Sequence, residues 1–579
     1  MTKKQKLELT WIGKDVRPKL EPRILLEDPT KSYHAKHRVN ENDIFDNRLI
    51  FGDNLLALKA LEQEFSGAIK CIYVDPPFNT KQAFEHYDDG LEHSIWLSLM
   101  RDRAILLHKL LANEGTLFVH IDDNELGYLI SLLDEIFGRA NRVSIVTFKQ
   151  GAPTGHKAIN PGVVSTTNFI LVYAKNKAMW KPTRIFTGRE RDKRYGKFLI
   201  NPSDHHSKWK FSTLTEAIST KTGKKMIELK KEMGGELEKF TNDFVIENAR
   251  CVAQFVRPDY EAVSKEAQDM IDASLATPSE IFHLPRPDHS DMYFIGGQRI
   301  IFYVAKLKEV DGHLVAGEPL TTLWDDLLSN NLHKEGGVEF PKSKKPESLI
   351  KRCLELCSDP GDWVLDSFAG SGTTGAVAHK MGRRWIMVEL GEHCHTHIIP
   401  RLTKVIDGED KGGITEGVNW QGGGGFRYYQ LAPSLLLQDR WGQWVVNKDY
   451  NPEMLAAAIC KLEAFTYAPS TDAYWQHGFS TENDFIYVTT QSLNAEQLQA
   501  LSDDVGPQRT LLVCCGAFRG DASRYPNLTV KKIPKMVLQK CEWGHDDYSL
   551  NVENLPQAPK PEVSVAPQTD LFGDAGGAK

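Results

Sequence analysis

The segment Asp366-Ser-Phe-Ala-Gly370-Ser-Gly372-Thr-Thr-Gly375 indicates the fold class, because it is a glycine-rich turn between a short apolar strand and a helical pattern. Trp363-Val-Leu365 precedes the turn, residues 373–381 have the spacing of a helix, and Trp385-Ile-Met-Val388 predicts the next strand. A strand, a helix and a strand in this order are typical of a parallel α/β sheet. The G-x-G-x-x-G pattern lets the backbone approach a ligand closely, but by itself it does not identify that ligand.

A second cluster of polar and aromatic residues follows the apolar strand Cys71-Ile-Tyr-Val74, in the order Asp75-Pro76-Pro77-Phe78. Consecutive prolines fix φ and carry no N–H, so the segment presents rigid acceptors in the Asp75 carboxylate and the Pro76 carbonyl. An exocyclic amine can donate two hydrogen bonds to such a pair, and Phe78 offers a flat face for a planar base. On this segment alone, an ordinary turn is the alternative.

The charged residues near the glycine-rich turn narrow the choice of its ligand. Glu389, at the end of the following strand, is placed to bind ribose hydroxyls, which suits either a nicotinamide dinucleotide or S-adenosylmethionine. A P-loop is excluded because no lysine follows the glycines. Asp366 would repel a pyrophosphate and suits a cation such as a sulfonium. The methyl donor is therefore favoured, while a dinucleotide and a turn without ligand stay open.

Taken together, these residues resemble the amino-group DNA methyltransferases. The resemblance is to the permuted arrangement, in which a D-P-P-[YF] half precedes an inserted recognition domain and an F-x-G-x-G cofactor half. Other segments that are similar to family segments are residues 49–54, 115–125, 340–349 and 388–390. The similarity covers about residues 40–430, and its order most resembles modification subunits of Type III restriction systems. It implies an α/β, Rossmann-like, circularly permuted methyltransferase fold that binds S-adenosylmethionine.

The resemblance also implies the site residues. The catalytic residues are expected to be Asp75, Pro76, Pro77 and Phe78. The cofactor-binding residues are expected to be Asp366, Phe368, Gly370 and Gly372 along the methionine and ribose, Glu389 on the ribose, Asp53 near the adenine, and Lys345 and Pro346 at the amino-acid end. For the last two, a plain helix start with a solvated basic face is the alternative. No metal is expected, since His205 and His206 lack a ligand constellation.

The implied activity is methylation of adenine N6 in double-stranded DNA, with the target base flipped out of the helix. Asp75 as first catalytic residue favours adenine N6, whereas Ser-Pro-Pro is commoner for cytosine N4. Many family members have Tyr at the position of Phe78, so a hydroxyl contact is lost while stacking is retained. Cytosine C5 chemistry needs a Cys after Pro, a dipeptide that this chain lacks. The alternatives are cytosine-N4 methylation, an inert DNA-binding scaffold for a nuclease or helicase, and a dinucleotide oxidoreductase.

With 579 residues, the chain is long enough for several domains. We predict an N-terminal arm (1–39), a catalytic half (40–148), an inserted DNA target-recognition domain (149–323), a cofactor-binding half (324–430), a small C-terminal α/β interaction domain (431–555) and a mobile tail (556–579).

The charge distribution indicates where DNA binds. The net charge is −7, yet residues 149–250 hold 20 Lys and Arg against 10 Asp and Glu. We therefore expect double-stranded DNA to contact the insert through residues 149–250, with strongly salt-dependent affinity. A homodimer and a restriction or helicase subunit are the other expected partners. Gln568-Thr-Asp-Leu-Phe572 is similar to peptides that bind bacterial sliding clamps, although chance also explains so short a match.

The sequence predicts a cytoplasmic protein without a membrane span. No apolar run approaches the roughly 18 residues that a spanning helix needs, and residues 1–14 are charged and have no apolar signal-peptide core. The nine cysteines are scattered and include no C-x-x-C pair, so neither zinc nor disulfides are expected.

Overall fold

The computed structural model describes residues 8–78, 89–151, 162–287, 289–310, 312–327, 332–338 and 344–549. The chain divides into two compact units. The first comprises Met1–Lys181, Leu323–Thr415 and Trp420–Lys579, and the second comprises Pro182–Thr322 with Glu416–Asn419. Strands are numbered β1–β29 and helices α1–α12 along the chain. Among the described residues, no helix is both long and apolar enough to cross a membrane.

The first unit is built on one eleven-stranded sheet. Its strands are β1 (Leu25–Glu27), β2 (Tyr33–His34), β3 (Asn47–Phe51), β4 (Ile69–Val74), β5 (Leu111–Ile121), β6 (Arg142–Lys149), β7 (Thr167–Ala174), β17 (Leu323–Trp324), β18 (Trp363–Asp366), β19 (Arg384–Glu389) and β20 (Gly425–Leu431). They are ordered β1-β20-β3-β19-β18-β4-β5-β7-β6-β17, with β2 beside β20. From β20 to β5 all neighbours are parallel, whereas β7 is antiparallel to β5 and β6.

Helices cover this sheet and bury its apolar strands. They are α1 (Asn54–Phe65), α2 (Asp89–Leu110), α3 (Leu126–Leu133), α8 (Glu347–Cys357), α9 (Thr373–Lys380) and α10 (Ile399–Ile406). The central strands are continuous apolar runs, and Cys71–Val74 and Trp385–Val388 are at most 1% exposed. Continuous runs of this kind are what parallel strands covered on both faces require. The predicted α/β fold is thus confirmed.

The strand order joins the two halves that the sequence separates. β18 pairs with β4 in parallel, with Val364 opposite Cys71 and Leu365 opposite Ile72. Because both strands run in the same direction, Asp366 at the end of β18 and Asp75 just after β4 lie at the same edge of the sheet. The chain leaves β4 towards β5 and leaves β18 towards β19, in opposite directions along the sheet. Such a switch point is where open α/β sheets place their ligands.

The predicted start of the insert differs from the structure. The insert was expected to start at residue 149, but the apolar residues of β7 (Thr167–Ala174) are buried between β5 and β6 in the central sheet. The second compact unit therefore starts at Pro182.

The second unit contains antiparallel sheets and four helices within its described residues. Its elements are β8 (Phe186–Gly188), β9 (Lys197–Leu199), β10 (Phe211–Thr213), α4 (Leu214–Thr222), α5 (Met226–Met233), α6 (Leu237–Glu247), β11 (Val252–Val256), α7 (Lys265–Ala276), β12 (Phe282–Leu284), β13 (Met292–Ile295), β14 (Gln298–Phe302), β15 (Leu307–Val310) and β16 (His313–Pro319). One sheet has the order β10-β9-β11-β14-β13-β12 and another β15-β16-β8. Residues 182–322 include 21 basic and 21 acidic side chains, so the basic excess is confined to residues 149–250 and does not extend over the unit.

The C-terminal part of the first unit has its own α/β sheet. Its elements are β21 (Leu436–Gln438), β22 (Trp444–Val446), α11 (Pro452–Leu462), β23 (Thr466–Tyr467), β24 (Gly478–Thr481), β25 (Asp484–Val488), β26 (Ser492–Leu493), α12 (Ala495–Val505), β27 (Thr510–Cys515), β28 (Ala517–Phe518) and β29 (Leu528–Lys532). The larger sheet has the order β23-β24-β25-β27-β29, and its last three strands are parallel. The predicted tail and its segment 568–572 lie outside the described residues.

Candidate functional site

A cavity of about 460 Å³ lies where β4 and β18 end. Ten of the predicted site residues line it: Asp53, Asp75, Pro76, Pro77, Phe78, Lys345, Asp366, Phe368, Gly370 and Glu389. Pro346 and Gly372 are not among the lining residues. Both halves of the predicted site therefore share one cavity, and its volume falls within the range of small-molecule sites.

Two glycines shape the turn between β18 and α9. Gly370 has φ +54° and Gly372 has φ +73°, a left-handed conformation that side chains other than glycine rarely adopt. A Cβ on Gly372 would lie 3.0 Å from Ile398 Cγ2, whereas a Cβ on Gly370 would meet nothing closer than 3.8 Å. Gly372 is thus needed for packing as well as for the turn, while Gly370 leaves an open approach to the backbone.

The buried Asp366 side chain stabilises the glycine turn through two hydrogen bonds. Its Oδ1 accepts a hydrogen bond of 2.9 Å from the Phe368 amide, and its Oδ2 accepts one of 2.6 Å from the Thr374 hydroxyl. Burial, together with the nearby carboxylates of Asp75 and Glu389, raises the pKa of Asp366 to about 7, although these two hydrogen bonds lower it. The sequence suggested a free carboxylate facing a cation. Instead, both oxygens are bound by the turn itself, so any attraction for a cation acts through its charge.

Glu389 binds the same turn from the neighbouring strand. Its Oε2 accepts from the Gly370 amide at 2.8 Å, and its Oε1 accepts from the amides of Leu390 and Gly391 at 2.9 Å. His393 Nε2 lies 3.0 Å from Oε1, and this hydrogen bond raises the pKa of His393. His393 also lines the cavity and was not predicted.

Asp53 is held by three protein donors at another wall of the cavity. It caps α1 through a bond of 3.0 Å from the Leu56 amide, and its other oxygen accepts from the Tyr548 amide at 2.9 Å. Arg103 Nη2 is 3.5 Å from that second oxygen, and its Nε donates to Asn54 Oδ1. The structure therefore places Asp53 as an anchor for this wall.

The sequence did not predict several other lining residues of this wall, namely Asn54, Leu99, Arg103 and Ser549. Arg103 is a fully buried charge among the apolar positions of α2, which is a signal that the sequence does carry. Ser549 comes from the far end of the chain and has no comparable signal.

Asp75 has one paired and one unpaired oxygen. Lys345 Nζ lies 2.7 Å from Oδ2, whereas Oδ1 is buried and has no hydrogen-bond donor in the described part of the chain. Burial raises the pKa of Asp75, and the Lys345 ammonium opposes this rise. Behind it, the Pro77 carbonyl accepts from Trp96 Nε1 at 2.9 Å, which fixes the Asp-Pro-Pro-Phe segment on α2. A buried acceptor of this kind can be satisfied by a donor from a ligand or from water.

The described residues offer no cluster of three or more His, Cys, Asp or Glu that could hold a metal ion. The chemistry that the cavity supports is acceptance of hydrogen bonds at Asp75 and attraction of positive charge by Asp75, Asp366 and Glu389.

Comparisons with known proteins agree with this chemistry. Residues 69–400 match the model of the N6/N4 methyltransferase family, described as DNA methylase. A Haemophilus influenzae protein named as a probable type III restriction-modification enzyme HindVI Mod subunit is 35% identical over 412 residues, covering 67% of this chain and 54% of that protein. The StyLTI Mod subunit of Salmonella typhimurium is 27% identical, covering 63% and 55%, and the EcoPI Mod subunit of Escherichia phage P1 is 28% identical, covering 65% and 61%. The chain thus spans between half and two thirds of these relatives' length.

Proposed function

Because the chain belongs to the N6/N4 DNA methylase family, we propose that it transfers a methyl group from S-adenosylmethionine to an exocyclic amine in double-stranded DNA, with adenine N6 favoured. The observation that carries this proposal is the unpaired Oδ1 of Asp75. This oxygen is buried and lacks a donor among the described residues, and Asp75 lines the same cavity as the Gly370 turn. An amino group at this oxygen would satisfy the orphaned acceptor.

The residues present fit the cofactor. The cavity is large enough for it, the Cα of Gly370 is open, and three carboxylates in its wall favour a cation. Gly370 and Phe368 would contact it, and Glu389 would accept from ribose hydroxyls. When bound, S-adenosylmethionine supplies an activated methyl group on a positively charged sulfur.

Asp75 would make the amine a better nucleophile. The lone pair of an adenine or cytosine amine is delocalised into the ring, and hydrogen bonds from both amino hydrogens localise it on nitrogen. Asp75 Oδ1 accepts one hydrogen and the Pro76 carbonyl accepts the other. The amine becomes acidic only as the methyl group arrives, so its proton can then pass to Asp75 Oδ1. Orientation and preorganised dipoles supply most of the acceleration.

Phe78 would hold the target base at this acceptor pair. The base must leave the duplex, which costs a few kcal/mol. Phe78 lines the cavity beside Asp75, and stacking on an aromatic ring offsets part of that cost, about 1 to 3 kcal/mol.

The proposed context is the modification component of a restriction or phage-defence system. The relatives named above are Mod subunits of type III restriction-modification enzymes, which supports a restriction subunit as partner. Residues 149–250 carry the basic excess and are the proposed DNA contact. A homodimer, a helicase partner and clamp binding through residues 568–572 remain proposals from the sequence.

Methyl transfer can be measured with the purified chain, S-adenosylmethionine labelled in the methyl group, and duplexes of mixed sequence. We expect label in N6-methyladenine with the wild type and with Asp123→Ala, an exposed control beyond β5, but none above background with Asp75→Ala. Label in N4-methylcytosine would show that the acceptor is cytosine N4 and not adenine N6. No transfer by the wild type under any condition would favour the inert scaffold.

A further inference from the structure

Lys345 contacts the Asp75 carboxylate, whereas the family resemblance implied a place at the amino-acid end of the cofactor. We propose that Lys345 is a positioning residue, which holds Asp75 so that one oxygen faces the target amine and which holds Phe78 against the base. The inference rests on the proposed function and adds a role that the family match does not assign.

The first support is that only one of the two oxygens of Asp75 has a partner. The ammonium of Lys345 is 2.7 Å from Oδ2, at ion-pair distance. Oδ1 is left buried and without a donor among the described residues. A lysine bound to one oxygen restricts rotation of the carboxylate, so it determines which oxygen is left unpaired.

The same ammonium also contacts the stacking residue. Lys345 Nζ lies 5.3 Å from the centroid of the Phe78 ring, within the range of a cation–π contact. One charged group therefore touches both the acceptor and the aromatic face that the target base would use. Its removal would loosen both at once.

A buried charge network fixes the backbone that carries Lys345. Glu347, at the start of α8, accepts from Arg401 Nη2 at 2.7 Å and from Lys380 Nζ at 2.8 Å, and these three side chains are fully buried. Arg401 Nη1 donates to the Thr373 hydroxyl at 2.7 Å and to the Ser371 carbonyl at 3.2 Å. The Arg401 guanidinium thus holds both the glycine turn and the segment of Lys345. It thereby fixes the position of the cofactor relative to the acceptor.

Lys345 also controls the charge of Asp75. The groups that face Asp75 are Tyr73 on its own strand, Asp366 at the end of β18 and Lys345 ahead of α8. His120 on β5 is hydrogen-bonded to the Tyr73 hydroxyl at 2.9 Å, and burial lowers its pKa, so it adds no positive charge at neutral pH. Among the described residues, Lys345 is therefore the cation that offsets the burial of Asp75, and its loss would raise the pKa of that carboxyl.

The test uses the full chain in three variants: Lys345→Met, Lys345→Arg and the control Lys351→Met, whose lysine pairs with Glu355 one turn along α8. Single-turnover methylation is measured from acid to neutral pH, and affinity for S-adenosylmethionine by calorimetry. We expect Lys345→Met to slow transfer about a hundredfold, to move the acidic limb of the rate profile to higher pH, and to leave cofactor affinity within about threefold, since the contact is with Asp75 and not with the cofactor. Lys345→Arg should recover part of the rate because the charge returns.

Two outcomes with an active wild type would overturn the proposal. One is a Lys345→Met profile that matches that of Lys351→Met. The other is a loss of cofactor affinity with an unchanged acidic limb, which would make Lys345 a cofactor contact.

If the wild type transfers no methyl group, the proposed function fails. Unfolding measurements then test the ion pair of Lys345 with Asp75 independently of activity. In a cycle of Lys345→Met, Asp75→Asn and the double variant, non-additive stabilities support the coupling, and additive ones refute it.

Discussion

The Gly370 amide donates a hydrogen bond of 2.8 Å to Oε2 of Glu389, which joins the glycine turn to the end of the neighbouring strand. β18 and β19 are parallel partners, so both residues lie at the same edge of the sheet. Three backbone amides in all converge on the Glu389 carboxylate. This carboxylate therefore maintains the shape of the turn that leaves the Cα of Gly370 open to the cavity.

Glu389→Gln should weaken binding of S-adenosylmethionine about tenfold or more. A hydrogen bond to a charged group is worth about 1.5 to 3 kcal/mol, and the amide side chain both loses the charge and turns one acceptor into a donor. Calorimetry on the purified chain measures the affinity. Glu392→Gln is the matched control, since Glu392 is on the same loop and its side chain is 81% exposed. Equal affinities for both variants would refute the role of Glu389.

Phe78→Ala should reduce capture of the target base by roughly tenfold to a hundredfold, because stacking contributes about 1 to 3 kcal/mol. Phe78→Tyr keeps the ring and should stay close to the wild type. The measurement is single-turnover methylation of a matched duplex and of one with the target base mispaired. Mispairing lowers the cost of flipping, so it should restore part of the activity of Phe78→Ala. An equal loss on both duplexes would show that Phe78 acts on a step other than base capture.

Affinity for S-adenosylmethionine should rise as the pH increases through 7. Burial places the pKa of Asp366 at about 7, and a positively charged ligand binds the ionised carboxylate in preference to the neutral acid. Protonation as the pH falls from 8 to 6 should therefore weaken binding. Calorimetry at pH 6, 7 and 8 tests this, with Asp123→Ala carried through as a control for general effects. A flat profile would mean that the charge of Asp366 does not act on the cofactor.

Glu347→Gln should lower the free energy of unfolding by about 3 to 5 kcal/mol, because it leaves two buried cations without their shared anion. Lys380 retains Asp410 as a partner at 2.7 Å, whereas Arg401 has no second carboxylate among the ion pairs of the described residues. Denaturant unfolding measures the change. The control Glu355→Gln removes a pair on the outer side of the same helix and should cost about 0.5 kcal/mol. Similar midpoints for the two variants would contradict the network.

Local sequence patterns predict the central sheet well, because its strands are continuous apolar runs next to helical ones. Trp363-Val-Leu365 lies in β18, Trp385-Ile-Met-Val388 in β19, and the helix expected at residues 373–381 is α9, Thr373–Lys380. The insert was predicted to start too early, because no turn signal beside the apolar run of β7 shows that this strand belongs to the central sheet.

The sequence predicts the loop residues of the candidate site but not the long-range contacts that hold them in place. Asp75 and Gly370 stand in short patterns whose backbone requirements can be read directly. The ion pair of Lys345 with Asp75, and the anchoring of Asp53 by Tyr548, join residues hundreds of positions apart. Such contacts depend on strand order, which a single sequence does not encode locally.

Modification-sensitive sequencing of DNA from cells that express either the wild-type chain or Asp75→Ala is the decisive test of the proposed methylation. We expect N6-methyladenine at one short sequence motif with the wild type and none with Asp75→Ala. The same methylation in both strains, or no new methylation in either while both proteins are folded and abundant, would contradict the proposal.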